Sequence, residues 1–347
     1  MQETVILSKK TLLICDSFYP SIGGAEKALL EYTREFISEG HEVTILTGSD
    51  KVSNYTVDEK ISVFTFPWCK IAGHSIPWVG DIAKYAEESD RIYTVLYTSA
   101  IPTWFVARKY SKPITLIVYE VLYEKWYWVE NTFIATIHML FELLILRFRF
   151  SNYIAISDAT KKDLEKVIGV NKPISVIYPH KHKLIPKGLQ RHNAACRRFL
   201  YFGRLGKTKG IDILLAAIHK DATYLRKNLC QFTLRLFAEN KSEHNKLLTE
   251  IGARKITDLV SLKGPIEGDD YLDRMFEEVD CVIVPSITEG FGFSAIEACE
   301  HGIPLICSDA GSLPEVIFGK INTFLNRDTQ SLVNAIRKST NGNFTTI

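Results

Sequence analysis

CVIVPSITEGFGFSAIEACEHGIPLICS, residues 281–308, reads as a strand, a loop, a helix and a second strand. CVIVPS (281–286) and PLICS (304–308) are short apolar runs, the pattern of parallel strands buried on both faces. Between them lie a loop with Gly290 and Gly292, a helical segment at 293–301, and Gly302. Such a unit sets two parallel strands side by side with a helix across the sheet.

The same alternation extends outward on both sides. RFLYFG (198–203) and FTLRLFA (232–238) read as strands, and helical segments fall at about 210–219, 241–253, 269–278 and 329–338. Upstream, TLLIC (11–15), EVTIL (42–46), RIYTVLY (91–97), ITLIVY (114–119), YIAIS (153–157) and ISVIY (174–178) repeat the strand pattern. ALLEYTREFISEG ends in Gly40, a natural helix stop, and DATKKDLEKVIG follows Ser157, a good N-cap. Residues 179–196 interrupt the series with Pro179, Pro186 and Gly188 and no clear period. The expected fold is α/β: two Rossmann-like, doubly wound parallel-sheet domains facing a cleft. The division is 1–180, a linker at 181–196, and 197–347. Sheets of this kind bind ligands at their carboxyl edges.

Composition narrows the function. The chain has 347 residues, 46% of them hydrophobic, enough for two cores. With 42 basic and 40 acidic residues the net charge is +2, which argues against a nucleic-acid binder. Seven cysteines form no CxxC pair and several sit in apolar runs, so buried free thiols are expected. The N-terminal MQETVILSKK lacks a secretory apolar region, and a cytoplasmic location is expected.

Three segments carry candidate chemistry. In SFYPSIGGAEKALL, Gly23 and Gly24 stand between a strand and a helix and let the backbone approach a ligand. In YFGRLGKTKGIDILL, Arg204 and Lys209 sit among Gly203, Gly206 and Gly210 at a helix start, a setting that suits a diphosphate as well as a solvated basic loop. In SITEGFGFSAIEACE, Glu289 precedes Gly290, Phe291 and Gly292, and Glu297 lies one to two turns into the helix, where it could accept two hydroxyl hydrogen bonds.

The ordered set GGAE, GRLxxxKG, EGFGxxxxE and GxxPE, spread over about residues 10–340, resembles the retaining GT-B glycosyltransferases of family 4. That resemblance implies a nucleoside-diphosphate sugar held mainly by the second domain. Arg204 and Lys209 would bind the diphosphate, and Glu297 the ribose hydroxyls. Glu289, Gly290 and the amides of Phe291 and Gly292 would meet the donor sugar and phosphates. Gly264 to Ile266 would cradle the base, and Gly23 and Gly24 would close over the donor. It implies no metal and no separate cofactor; Asp269-Asp270 reads as a helix cap. Catalysis is assigned to Glu289, Arg204, Lys209 and Glu120, with the acceptor attacking on the leaving-group face and Glu289 orienting more than attacking.

The sequence departs from the family pattern in three places. Tyr119 precedes Glu120 where relatives often carry histidine, and tyrosine does not titrate near neutral pH. VIYPHKHK (176–183) replaces an Asn-Gly turn, and the His180/His182 spacing reads as polar linker. The segment after the helix near 330–338 is short, so looser domain closure is expected.

The acceptor is expected to be a glycan, a lipid-linked or a cell-envelope molecule. WYW (126–128) and the apolar run that follows it read first as a buried helix with a thin polar stripe of His138, Glu142 and Arg149. The second reading is a peripheral contact through 126–149 on the cytoplasmic membrane face, with Trp126, Trp128, Arg147 and Arg149 at the headgroups. The competing function is a degenerate, non-catalytic nucleotide-sugar binder. An NAD dehydrogenase is disfavoured by the lack of GxGxxG.

Overall fold

The structure, a computed structural model, describes residues 9–18, 23–50, 53–71, 74–179, 195–236, 241–266, 268 and 270–347. The chain divides into two compact units, Met1–Tyr127 with Asn131–His180, and Trp128–Glu130 with Lys181–Ile347. Most of the expected linker, with His180 and His182, lies outside the described residues, as does Asp269.

The first unit is built on an eight-stranded sheet. Lys9–Cys15 lies at its centre, with His41–Gly48 and Ile61–Phe66 on one side. Arg91–Val95, Ile114–Val118, Asn152–Ala155 and Ile174–Val176 follow on the other. All these pairings are parallel, and only Ser53–Asp58 runs antiparallel at an edge. The chain therefore reverses its direction of winding between Lys9–Cys15 and Arg91–Val95, the topological switch point. In the second unit Arg198–Gly203 is central, flanked by Gln231–Leu236 and Val260–Lys263 on one side. Cys281–Val284, Leu305–Ser308 and Lys320–Phe324 lie on the other, so the switch point falls between Arg198–Gly203 and Cys281–Val284.

Burial explains which strands announce themselves in the sequence. Ile114–Val118 and Cys281–Val284 are buried at every position, hence their unbroken apolar runs. Ile61–Phe66 alternates buried and half-buried residues and Val260–Lys263 is an edge strand, so neither produces such a run. The helix signals behave as their chemistry requires. Gly40 takes φ +88° after the helix Gly24–Ser38, and Ser157 Oγ accepts the Thr160 N–H at 3.0 Å. Asp270 stands at the N-cap of Tyr271–Phe276 without capping it; its carboxylate pairs with Arg274 at 3.1 Å instead. Six of the seven cysteines are buried, all are free thiols, and Cys69 is exposed.

Residues 132–147 overturn the first reading of the apolar run. They form a helix, Thr132–Arg147, but bury only Ala135, Glu142, Ile145 and Leu146. Phe133, Ile137, Leu140 and Leu144 face outward. The pole that is buried is fixed by its one acid. Glu142 is 0% exposed and accepts the Tyr97 hydroxyl at 2.8 Å and the Leu122 and Tyr123 N–H groups at 3.0 and 2.5 Å. Burial raises its carboxyl above the usual carboxylate range, opposed by those hydrogen bonds. The aromatic segment ahead of the helix is also differently employed. Trp126 packs edge-on against His138 at 4.5 Å and Tyr97 at 6.3 Å. Trp128 belongs with the second unit, where the Arg327 guanidinium lies 4.2 Å from its ring. No helix among the described residues is long and apolar enough to cross a membrane.

Removing Glu142 strands two buried N–H donors. Glu142→Ala should lower stability by about 3 kcal/mol, and Glu142→Gln, which keeps one acceptor oxygen, by about 1 kcal/mol. Urea unfolding followed by tryptophan fluorescence measures both.

Candidate active site

At the second switch point two loops leave adjacent strands at their carboxyl ends: 204–210 after Arg198–Gly203, and 285–292 after Cys281–Val284. They are joined along the backbone. The Ile287 N–H donates to the Thr208 carbonyl at 2.7 Å. Gly210 sits at φ +64°, and a Cβ there would stand 1.9 Å from the Pro285 oxygen, so only glycine allows the approach. This is why the last glycine of GRLGKTKG is needed: it is a seat for the other loop as well as the start of a helix.

The joint brings two candidate residues into contact. Lys209 Nζ lies 3.1 and 2.9 Å from the two carboxylate oxygens of Glu289. The lysine side chain is 35% exposed and the glutamate 12%, so the pair stands at the rim of the fold, shielded on one side and open on the other. Ser286 Oγ donates to Glu289 Oε2 at 2.8 Å. The glutamate backbone is clamped separately: its carbonyl accepts the Ser312 N–H at 3.0 Å. A Cβ on Gly311, at φ +53°, would meet that same oxygen at 2.0 Å. Farther along, Ser308 Oγ donates to the Ser286 carbonyl at 2.6 Å and Asn326 Nδ2 to the Ile287 carbonyl at 2.7 Å. A carboxylate and an ammonium are thus held at a sheet edge by a shell of short polar residues, an arrangement that fixes position before any ligand arrives.

The remaining second-unit candidates lie on the same edge. Arg204 is exposed, and its carbonyl is held by the Tyr201 hydroxyl at 2.8 Å. Tyr201 itself is buried; burial first, and then the Glu289 charge, pushes its hydroxyl well above the ordinary range. Gly290 and Phe291 are buried, and Gly292, at φ +88°, caps the helix Phe293–Glu300 with its first amides unbonded within the helix. Glu297 is half-buried on that helix, and its carbonyl meets His301 Nδ1 at 2.7 Å. Gly264 and Ile266 follow the strand Val260–Lys263; the Gly264 carbonyl accepts Arg235 Nη1 at 2.7 Å.

In the first unit Gly23 and Gly24 begin the helix that comes after Lys9–Cys15, and Glu120 follows the strand Ile114–Val118. Gly23 is the extended N-cap of Gly24–Ser38, and Glu26 in the first turn is buried and accepts the Ser17 hydroxyl at 2.7 Å. Tyr119 and Glu120 are half-buried directly after Ile114–Val118. The Tyr119 hydroxyl is enclosed; burial, and then Cys15, Tyr32, Asp16 and Glu26, drive its pKa well up. At this position the protein holds a neutral hydrogen-bonding group.

Thr208, Ser286, Ser308, Ser312, Asn326 and Tyr201 are the site residues that the sequence did not mark. Small polar residues in loops are common, and their partners lie far off in sequence, as Ile287 does from Thr208 and from Asn326. One signal was present: GSLPE, the GxxPE element, is where Gly311 and Ser312 reach back to Glu289.

Comparison with known proteins agrees with this fold. Residues 22–180 match the family model Glycosyltransferase Family 4, and residues 196–341 match Glycosyl transferases group 1. An uncharacterized glycosyltransferase of Methanocaldococcus jannaschii is 29% identical over 126 residues, 36% of this chain and 30% of that protein. A D-inositol 3-phosphate glycosyltransferase of Corynebacterium aurimucosum is 32% identical over 119 residues, 33% of this chain and 27% of that protein, so these matches span less than a third of either relative. One subunit of the human phosphatidylinositol N-acetylglucosaminyltransferase is 22% identical over 357 residues, 94% of this chain and 67% of its own length. Among solved structures, sucrose-phosphate synthase from Thermosynechococcus elongatus superposes with a TM-score of 0.74 at 19% identity, covering 96% of this chain and 92% of that one. Anabaena HepE, solved in complex with UDP-glucose, gives 0.67 at 20% identity, covering 96% and 92%. With one family model on each unit and the strand order of a doubly wound sheet in both, the chain belongs to the family 4, group 1 glycosyltransferases and has the GT-B fold.

Proposed function

We propose that this protein transfers a sugar from a nucleoside-diphosphate sugar to a glycan, lipid-linked or cell-envelope acceptor, with the anomeric configuration retained and no metal required. The observation that carries this reading is the Lys209–Glu289 pair, half open to solvent, held at the carboxyl edge of the second switch point. Nucleotides bind such edges because the loops there present amides and helix N-termini. HepE was solved with UDP-glucose at the same level of fold.

In this reading the donor diphosphate sits against Lys209, the exposed Arg204 side chain and the first amides of Phe293–Glu300. As the bond from the anomeric carbon to phosphate breaks, negative charge grows on the departing oxygen, and fixed cations stabilise it without reorganising. The acceptor hydroxyl attacks on the same face of the sugar and gives its proton to the leaving phosphate oxygen. Glu289, clamped by Ser312 and Ser286, orients the sugar, and Glu297 holds the ribose. Glu120 and Tyr119 act from the first unit, Tyr119 as a neutral donor where relatives often carry histidine. That replacement also favours a second reading, a donor-binding protein without turnover.

Thermal shift against a panel of nucleoside diphosphates and their sugars, with EDTA present, tests the donor site first. A ligand at 100 times its dissociation constant should add about 2.7 kcal/mol of stability. The shift should vanish in Lys209→Ala and in Glu297→Ala; silence from the whole panel would sink the reading. In a transfer assay Glu289→Gln should keep donor binding and lose about 100-fold or more in kcat, the usual cost of one transition-state contact. Glu120→Gln should also lose turnover; full activity would remove Glu120 from the site. Binding without measurable transfer by the unsubstituted protein would decide for the non-catalytic reading.

A further inference from the structure

On Thr132–Arg147 the side chains opposite Glu142 form a row. Phe133, Ile137, Leu140 and Leu144 follow one another at intervals of four, three and four, which places them on one face of a helix. They are 75%, 50%, 56% and 51% exposed, with Ile134 and Phe141 exposed beside them. Scattered apolar residues on a surface need no explanation, but a continuous row does.

A cationic rim adjoins the row. Arg147, three residues beyond Leu144, is exposed on the same face, and Arg149 is exposed just past the helix end. The helix Ala100–Lys109 packs against this end: Phe148 meets Trp104 at 4.9 Å and Phe105 at 6.0 Å, and Trp104 Nε1 donates to the Arg149 carbonyl at 2.9 Å. It adds one more outward apolar side chain, Phe105 at 54% exposure, and two exposed cations, Arg108 and Lys109. Among the described residues no carboxylate pairs with any of these four cations.

We propose that this face docks the first unit on an anionic lipid bilayer. The helix lies in the plane of the interface, its apolar row among the upper acyl chains and Arg108, Lys109, Arg147 and Arg149 at the phosphates. The helix has 16 residues, about 24 Å, too short for the roughly 30 Å hydrocarbon core, and its Glu142 pole is committed to the protein interior. A second copy is the competing occupant, but a two-fold contact would bring only this same patch, and its apolar row offers no carboxylate to meet the four cations. Nucleic acid has phosphates but nothing to receive Leu140 and Leu144. Docking rests on this surface alone; only its corollary, that the acceptor hydroxyl is carried by a membrane lipid, depends on the transfer reading.

Cosedimentation of the full chain with vesicles tests it. The protein should pellet with phosphatidylcholine vesicles containing phosphatidylglycerol, less with phosphatidylcholine alone, and less at high salt. Leu140→Asp with Leu144→Asp should abolish pelleting. Arg147→Gln with Arg149→Gln should weaken partitioning to anionic vesicles about thirty-fold, at about 1 kcal/mol per cation. Both variants change exposed positions, so an unchanged unfolding midpoint shows that they fold. A protein that stays in the supernatant with anionic vesicles overturns the proposal. So does concentration-dependent self-association lost in Leu140→Asp with Leu144→Asp, which would assign the face to a second copy. The donor thermal shift is read separately, so vesicle binding without any donor response would defeat the transfer reading and leave docking standing.

Discussion

The second unit depends on one backbone joint, the approach of the 204–210 loop to the 285–292 loop through Gly210, Thr208, Pro285 and Ile287. A carbonyl 1.9 Å from where a Cβ would stand leaves no room for a side chain, and the Thr208–Ile287 backbone hydrogen bond joins the two loops there. Everything chemical in this unit inherits that constraint. Lys209 precedes the seat and Glu289 follows it, which brings an ammonium from one loop and a carboxylate from the other within 2.9 Å. The ion pair itself contributes little on a half-open surface. Its value is positional: each charge holds the other in place, while Ser286 donates to the Glu289 carboxylate and Ser312 holds the Glu289 backbone carbonyl.

The first unit is organised around a different constraint, a buried carboxylate. Glu142 accepts the amides of Leu122 and Tyr123, so the loop that leaves Tyr119 and Glu120 is anchored to the helix Thr132–Arg147. The same anchorage decides which side of that helix is turned away from the core. An acid with three donors cannot face solvent without stranding them, so the apolar row opposite must. An interior requirement near the candidate site thereby produces an exterior surface.

Much of this was legible in the sequence. Continuous β-branched runs mark strands buried on both faces, and their alternation with helices gives two doubly wound sheets. Gly40 and Ser157 end and begin helices as their backbone and hydroxyl chemistry demands. Arg204, Lys209 and Glu289 stood out as charged residues beside glycine turns at helix starts, and Glu297 as an acid within an otherwise apolar helix, though each charge by itself also suits a solvated surface. Ile61–Phe66 and Val260–Lys263 did not stand out, since polar residues interrupt both, at half-buried or exposed positions such as Ser62, Ser261 and Lys263.

By itself, then, the sequence determined the layer architecture, the order of the motifs and the identity of the charged candidates, because these follow from local periodicity and residue chemistry. Tertiary structure alone decided that Lys209 contacts Glu289, that Gly311 and Ser312 clamp the Glu289 carbonyl, and that Glu142 faces in while Phe133, Ile137, Leu140 and Leu144 face out. A helix apolar nearly all round has no preferred side of its own. Which side is buried depends on where distant backbone donors need an acceptor, and that is a property of the packed chain.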